Sequence, residues 1–244
     1  MKPCLSALLL AVGCRAPLPE IIAHRGASVD APENTIAAFR LGWVQADANE
    51  LDVHLSQDGR LIVIHDASTK RTAGLDKPVV QQTLAGLKAL DAGSGERLPL
   101  LDEVLADMPP DKRLFIEIKC GPEALPELKR LLLPSKQLVI IGFSIETMRA
   151  AKQLFPTLEV CWLQGCKEDK TTGRPPDLDD LITRCRAAGL DGLDLDHKFP
   201  INAAFVDRVH AAGLKLYTWT VDEEAVALRH AAAGYCEVLR PDGA

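Results

Sequence analysis

The chain has 244 residues, 47% of them hydrophobic, and a formal net charge of −6. That length allows one sizeable core, which a single α/β barrel commonly fills. The acidic balance excludes a broad basic footprint for nucleic acid, and 5% aromatic residues argue against a base-stacking surface.

In chain order, residues 1–19 come first. "MKPCLSALLLAVGC" reads as an extension preceding a cytoplasmic domain that occupies 20–244. The alternative is a signal segment, with export or lipid anchoring through Cys14. Its apolar run, Leu5–Gly13, suits a signal core and is too short to span a bilayer. A membrane partner is expected only in that case. Seven scattered cysteines without a CxxC pair fit reduced thiols rather than a disulfide framework.

Apolar runs predict strands near 20–24, 49–54, 114–119, 138–143, 159–163, 192–196, 215–220 and 235–239. Helical spacing predicts helices near 34–47, 100–107, 123–133, 145–154, 177–188, 202–212 and 223–233. The phrases "AAGLDGLDLD", "AAGLKLYTWT" and "AAGYCEVLR" each end a helix in glycine and then begin a strand. This beat is that of βα units around a parallel sheet. Eight such strands predict a (β/α)8 TIM barrel with its eighth helix incomplete or absent. An open doubly wound sheet is the runner-up, but the first strand is followed by no GxGxxG turn. Residues 67–99, rich in Asp, Gly, Ser, Thr and Lys, break the beat. They read as a small insertion after the second strand and its hairpin near 61–65.

Strand periodicity then sorts the polar residues. In "NELDVHLSQDGRLIVIHD", Glu50, Asp52 and His54 share one face, and Leu51 and Val53 the other. Carboxylates converging inside a barrel repel each other, and a hard oxygen-seeking cation such as Mg²⁺ or Ca²⁺ relieves this. In "LFIEIKC", Glu117 is a third candidate oxygen ligand. Lys119 is a candidate for a substrate anion, with a structural ion pair to a carboxylate as the alternative. His24 and His65 end two strands and could serve as base and acid on one phosphoryl group. Arg25 offers a planar fork to phosphate, and Gly26 allows close backbone approach. His54 is a candidate supporting residue, and His197 reads as structural. Trp219, in "TWTVD", forms either an apolar pocket wall or barrel packing.

Together, "AHRGAS", "PENTIAAF", "ELDVHLSQDG", "VIHD", "PLLDEVL", "IEIK" and "YTWTV" resemble the glycerophosphodiester phosphodiesterase family from about Glu20 onward. The resemblance implies a TIM barrel with a small insertion after the second strand. It also implies one divalent cation, Mg²⁺ or Ca²⁺, and hydrolysis of glycerophosphodiesters to sn-glycerol 3-phosphate and an alcohol. By position, Glu50, Asp52 and Glu117 match its metal ligands, His24 and His65 its acid–base pair, and Arg25 and Lys119 its phosphate contacts. His24 is then the base and His65 the acid. A lysophospholipase D-like lipid phosphodiesterase and a weakly active phosphodiester-binding barrel are the alternatives.

The chain departs from the family pattern in places. Gln45 stands where glycine is usual, so a left-handed helix cap is expected to be lost. Asn49 replaces an apolar residue, so an unpaired buried amide is expected. "GYCEVLRPD", at Gly234–Asp242, lacks the usual Thr-Asp pair and puts closure of the last strand in doubt.

Overall fold

Strand β1 (Ile21–His24) lies parallel to and between β2 (Ala48–Leu55) and β9 (Cys236–Leu239), so the sheet closes on itself. The structure is a computed structural model that describes residues 20–168, 173–221, 226 and 236–239. Apart from residue 226, the expected helix over 223–233 lies outside the described residues, as do the stretch after the last strand and residues 1–19. The remaining barrel strands are β4 (Arg113–Ile118), β5 (Leu138–Gly142), β6 (Glu159–Gln164), β7 (Gly192–Asp196) and β8 (Lys215–Val221). Every neighbouring pair around the ring is parallel, which gives the expected eight-stranded barrel. The doubt over closure is thereby corrected. Short as it is, β9 pairs with both β8 and β1, across an irregularity between Thr218 and Val221.

Alternation in the strands divides the core into two layers. Leu51, Val53, Ile116, Ile140, Val160 and Leu195 face outward into a large apolar cluster shared with the helices. Ile22, Ala48, Phe115, Val139, Cys161 and Tyr217 fill the barrel interior. Phe115 and Tyr217 meet edge to face, 5.1 Å between ring centroids. Beneath them is a charged floor. Glu159 accepts from Arg113 at 2.9 Å, from Lys215 at 2.5 Å and from the Tyr217 hydroxyl at 2.6 Å. Cation and hydroxyl donors thus close the end of the barrel opposite the strand tips.

The helices follow their capping signals. Helix α1 (Ile36–Gln45) starts after Thr35, whose hydroxyl accepts from Ala38 N–H at 3.3 Å. Its first expected residue, Asn34, is not helical but left-handed, at φ 58°. Asp177 and Asn202 cap α7 (Leu178–Ala187) and α8 (Ala203–Ala211) in the same way as Thr35. No left-handed cap is lost at Gln45, because the chain leaves α1 through extended Ala46, whose N–H reaches Gly42 O at 2.8 Å. The Asn49 amide is half satisfied rather than wholly unpaired. Its Nδ2 donates to Phe39 O at 2.9 Å, while Oδ1 stays unpaired. Gly42 makes room for that amide, since a Cβ there would stand 2.0 Å from Asn49 Oδ1.

After β2, an antiparallel strand β3 (Leu61–Val63) forms the expected hairpin. The segment 67–99 carries two short helices, α2 (Lys70–Ala73) and α3 (Leu84–Ala89). Its Val79, Leu87, Ala92 and Leu98 pack with Ile62 and Ile64 in a cluster of their own. This places Arg71 within reach of Asp66 and Glu33 beside the strand tips. Helices α4 (Leu101–Asp107), α5 (Leu125–Leu131) and α6 (Ile145–Leu154) complete the described outer layer. Among the described residues no helix is long and apolar enough to cross a membrane.

Candidate active site

A cavity of about 140 Å³ opens at the C-terminal ends of the strands. His24, Arg25, Glu50, His65, Glu117 and Lys119 line one side, and Ile141, Phe143, Leu163 and Trp219 another. The tip of β1 is shaped by two left-handed residues, Arg25 at φ 59° and Gly26 at φ 74°. A Cβ at Gly26 would lie 2.6 Å from the Ala38 backbone, so only glycine lets the tip pack on α1. The turn aims Arg25 N–H at Glu50 Oε2, 3.0 Å away. Asn34, also left-handed, donates its backbone N–H to Arg25 O at 3.0 Å and its Nδ2 to Asp52 Oδ2 at 2.9 Å. The "PENT" stretch thus does more than start a helix, because it braces the site.

Glu50, Asp52 and Glu117 each offer a carboxylate oxygen within 4.8 Å of the others, and all are buried. Glu50 and Asp52 come from the inner face of β2, and Glu117 faces Asp52 across the β2–β4 ladder. Glu50 Oε1 and Asp52 Oδ1 make no hydrogen bond. Lys119 Nζ stands 3.0 Å from Glu117 Oε1 and 3.6 Å from Asp52 Oδ1, so the ion pair open to it in the sequence is present. Arg25 Nε lies 3.4 Å from Asp52 Oδ2. Burial, then Asp52 and Glu117, push the Glu50 carboxyl far above the usual range. Burial and Asp52 push Glu117 up to about 7 against the pull of Lys119. Burial also acts upward on Asp52, but Lys119 and Arg25 outweigh it and hold that carboxyl low. These opposed shifts mark an excess of negative charge in a buried place, which a cation would balance. Buried oxygens in this number and spacing suit a hard divalent ion.

The histidines flank this cluster. His24 Nε2 is 3.9 Å from Glu50 Oε2. His65 Nδ1 is 2.6 Å from Asp66 Oδ1. His54, on the same face as the acids, is buried and donates Nε2–H to the His65 backbone carbonyl at 3.1 Å. It supports His65 rather than lining the cavity. Arg71 joins Asp66 to Glu33, at 2.7 Å from each, and Glu33 in turn holds Arg25 Nη1 at 3.2 Å. Trp219 meets Phe143 edge to face at 5.6 Å and donates Nε1–H to Asp194 O at 3.2 Å, so it forms a wall of the cavity. His197 stays at the rim of β7, with Nδ1 3.7 Å from Asp196 Oδ1.

Residues 24–238 match the model of the glycerophosphoryl diester phosphodiesterase family. The chain belongs to this family. A glycerophosphodiester phosphodiesterase of Caldanaerobacter subterraneus subsp. tengcongensis is 33% identical over 91% of this chain and 93% of its own. One from Bacillus subtilis is 31% identical over 84% of this chain and 77% of its own. A phosphodiesterase of Oleispira antarctica, solved in complex with the product sn-glycerol-3-phosphate, superposes with a TM-score of 0.78. It is 28% identical, with 91% of this chain and 92% of that chain covered. The chain is accordingly a phosphodiesterase of the glycerophosphoryl diester family, and the match begins at His24, the tip of β1.

Among the charged and amide residues at or beside the phosphodiesterase cavity, Glu33, Asn34, Asp66, Arg71 and Asp194 escaped the sequence reading. Asp194 had a signal, since "GLDLD" alternates charge with leucine as "ELDV" does. The other four act through turns and long-range pairs that no periodicity encodes.

Proposed function

We propose that this chain hydrolyses glycerophosphodiesters to sn-glycerol 3-phosphate and an alcohol. The observation that carries this is the three buried, closely spaced carboxylates of β2 and β4 beside His24 and His65 in one cavity. Glu50, Asp52 and Glu117 would hold one Mg²⁺ or Ca²⁺. When bound, that ion supplies Lewis-acid stabilisation of negative charge on the phosphoryl oxygens.

The chain's own residues supply the rest. Arg25 and Lys119 bring positive charge to the cavity wall and bind the phosphate. Asp52, Glu33 and Glu117 hold both cations in place beforehand, so little reorganisation accompanies binding. His24, at the tip of β1, takes the proton from the nucleophilic hydroxyl or water. His65 gives a proton to the leaving alcohol. Asp66 accepts from His65 Nδ1–H and so leaves Nε2 as the nitrogen that exchanges the proton. Trp219, with Phe143, forms the apolar side of the cavity. The substrate is a small molecule, in keeping with a cavity of about 140 Å³.

Phosphorus NMR of a reaction with glycerophosphocholine tests the reading, with lysophosphatidylcholine in parallel. Conversion of the first substrate to sn-glycerol 3-phosphate supports it. Cleavage of the lysolipid alone, or release of phosphocholine, overturns it.

A further inference from the structure

Asp194 lies on β7 between Leu163 of β6 and Tyr217 of β8 in the strand ladders. It is fully buried, it lines the cavity, and neither Oδ1 nor Oδ2 has a hydrogen-bond partner. A carboxyl in that condition is costly unless something else satisfies it. The cations lining the cavity are engaged with other acids, Arg25 with Asp52 and Glu33, and Lys119 with Glu117 and Asp52. The indole N–H of Trp219 goes to the main-chain carbonyl of Asp194, not to its side chain. Asp194 also falls outside the group of acids whose ligand atoms lie within 4.8 Å of one another. It stands apart from that group on the opposite part of the sheet, on β7.

Burial, assisted by the charge of Glu117, holds the Asp194 carboxyl well above the usual range. Both of its oxygens are open to hydroxyl partners. Its surroundings in the cavity are Ile141, Leu163 and Trp219, so the carboxyl is a polar spot on an apolar wall. The phosphate-binding charges stand elsewhere, at Arg25 and Lys119. An anionic phosphate would gain little from Asp194. A hydroxyl group, donor and acceptor at once, satisfies it, and two neighbouring hydroxyls satisfy both of its oxygens.

The geometry points to Asp194 as the specificity-determining residue of this cavity, binding the hydroxyls of the substrate's glycerol moiety while Arg25 and Lys119 bind the phosphate. The inference rests on the phosphodiesterase reading above and adds a polyol-recognition site to it. No covalent step is assigned to Asp194.

The test is calorimetric binding of sn-glycerol 3-phosphate and of propyl phosphate, which lacks both hydroxyls, in saturating Mg²⁺. Wild type, Asp194→Asn and Asp194→Leu are compared. Wild type is expected to prefer the glycerol ligand by about 10- to 100-fold. Asp194→Asn, which still offers a donor and an acceptor, is expected to keep most of that preference, and Asp194→Leu to reduce it to near unity. Asp194→Ala replaces the leucine variant if the larger side chain prevents folding. A preference that survives in the apolar variant overturns the inference, as does a wild type with no preference. A wild type that binds neither ligand and leaves glycerophosphocholine intact overturns instead the phosphodiesterase reading beneath it.

Discussion

His65 Nδ1 and Asp66 Oδ1 stand 2.6 Å apart although the two residues are consecutive in the chain. The contact forms because Arg71, from the segment after β3, draws the Asp66 carboxylate into place at 2.7 Å. Hydrogen bonds from Arg71 and from His65 hold the Asp66 carboxyl well below its usual range, so it stays ionised at any working pH. Asp66→Ala should lower kcat by about 10- to 100-fold with KM little changed, because proton transfer and not phosphate binding is impaired. Arg71→Lys should fall in the same direction by less, since a single ammonium cannot bridge Asp66 and Glu33 as the guanidinium does. Steady-state kinetics of the two variants on glycerophosphocholine checks both statements.

Glu50, Asp52 and Glu117 concentrate three acids against the charges of Arg25 and Lys119. A bound divalent cation removes the imbalance and stabilises the folded chain by mass action. At a concentration one hundred times its Kd the gain is about 2.7 kcal/mol, or roughly 5–10 °C in Tm for a domain of this size. Thermal melts with Mg²⁺, Ca²⁺ or EDTA should show that rise in wild type. Glu50→Gln, which keeps the shape and removes one anionic ligand, should show almost none.

Gly42 and Asn49 form a second dependent pair, far from chemistry. A Cβ on residue 42 would stand 2.0 Å from Asn49 Oδ1 and 3.2 Å from the Ala23 Cβ. Gly42→Ala should therefore cost about 1–3 kcal/mol, despite alanine's better helix propensity. In an Asn49→Ala background the penalty should shrink by about 1 kcal/mol or more, as neighbours in contact do not add. Denaturant melts of the four chains in this cycle measure the coupling.

Glu159 sets the acid limit of the barrel floor. Burial acts to raise its carboxyl, but Lys215, Tyr217 and Arg113 outweigh it and hold it below the ordinary value of 4.5. A carboxylate with a depressed pKa binds fewer protons folded than unfolded near that value. Its stabilisation is present above 4.5 and is lost as pH falls through the folded value. Glu159→Gln should cost about 1–3 kcal/mol at neutral pH and much less in acid. Urea melts between pH 7 and pH 3 should show the two chains converging at the acid end.

Period-two alternation was enough to place Glu50 and Asp52 on one inner face, and the beat of glycine and strand was enough to count the barrel. Those features are local, so they are legible in a linear text. What the sequence hid is non-local or conformational. Asn34 reads as the opening of a helix, but its left-handed backbone turns it onto Asp52, eighteen residues away. Arg71 reads as part of a polar insertion, and its partner Glu33 lies thirty-eight residues upstream. Asn49 reads as a buried fault, and only the bond to Phe39 O and the bare Gly42 show how it is accommodated. The closing strand looked too weak by its motif, yet backbone pairing to β1 and β8 does not depend on that motif.

The most direct test of the central claim is release of sn-glycerol 3-phosphate from glycerophosphocholine by the purified chain. Wild type would be run with Mg²⁺, with Ca²⁺ and with EDTA, alongside His65→Ala, His24→Ala and Glu50→Gln. The account predicts turnover that requires a divalent cation and falls by at least about 100-fold in each variant, with the histidine variants still binding the cation. Turnover that persists in EDTA, or in both histidine variants, would contradict it.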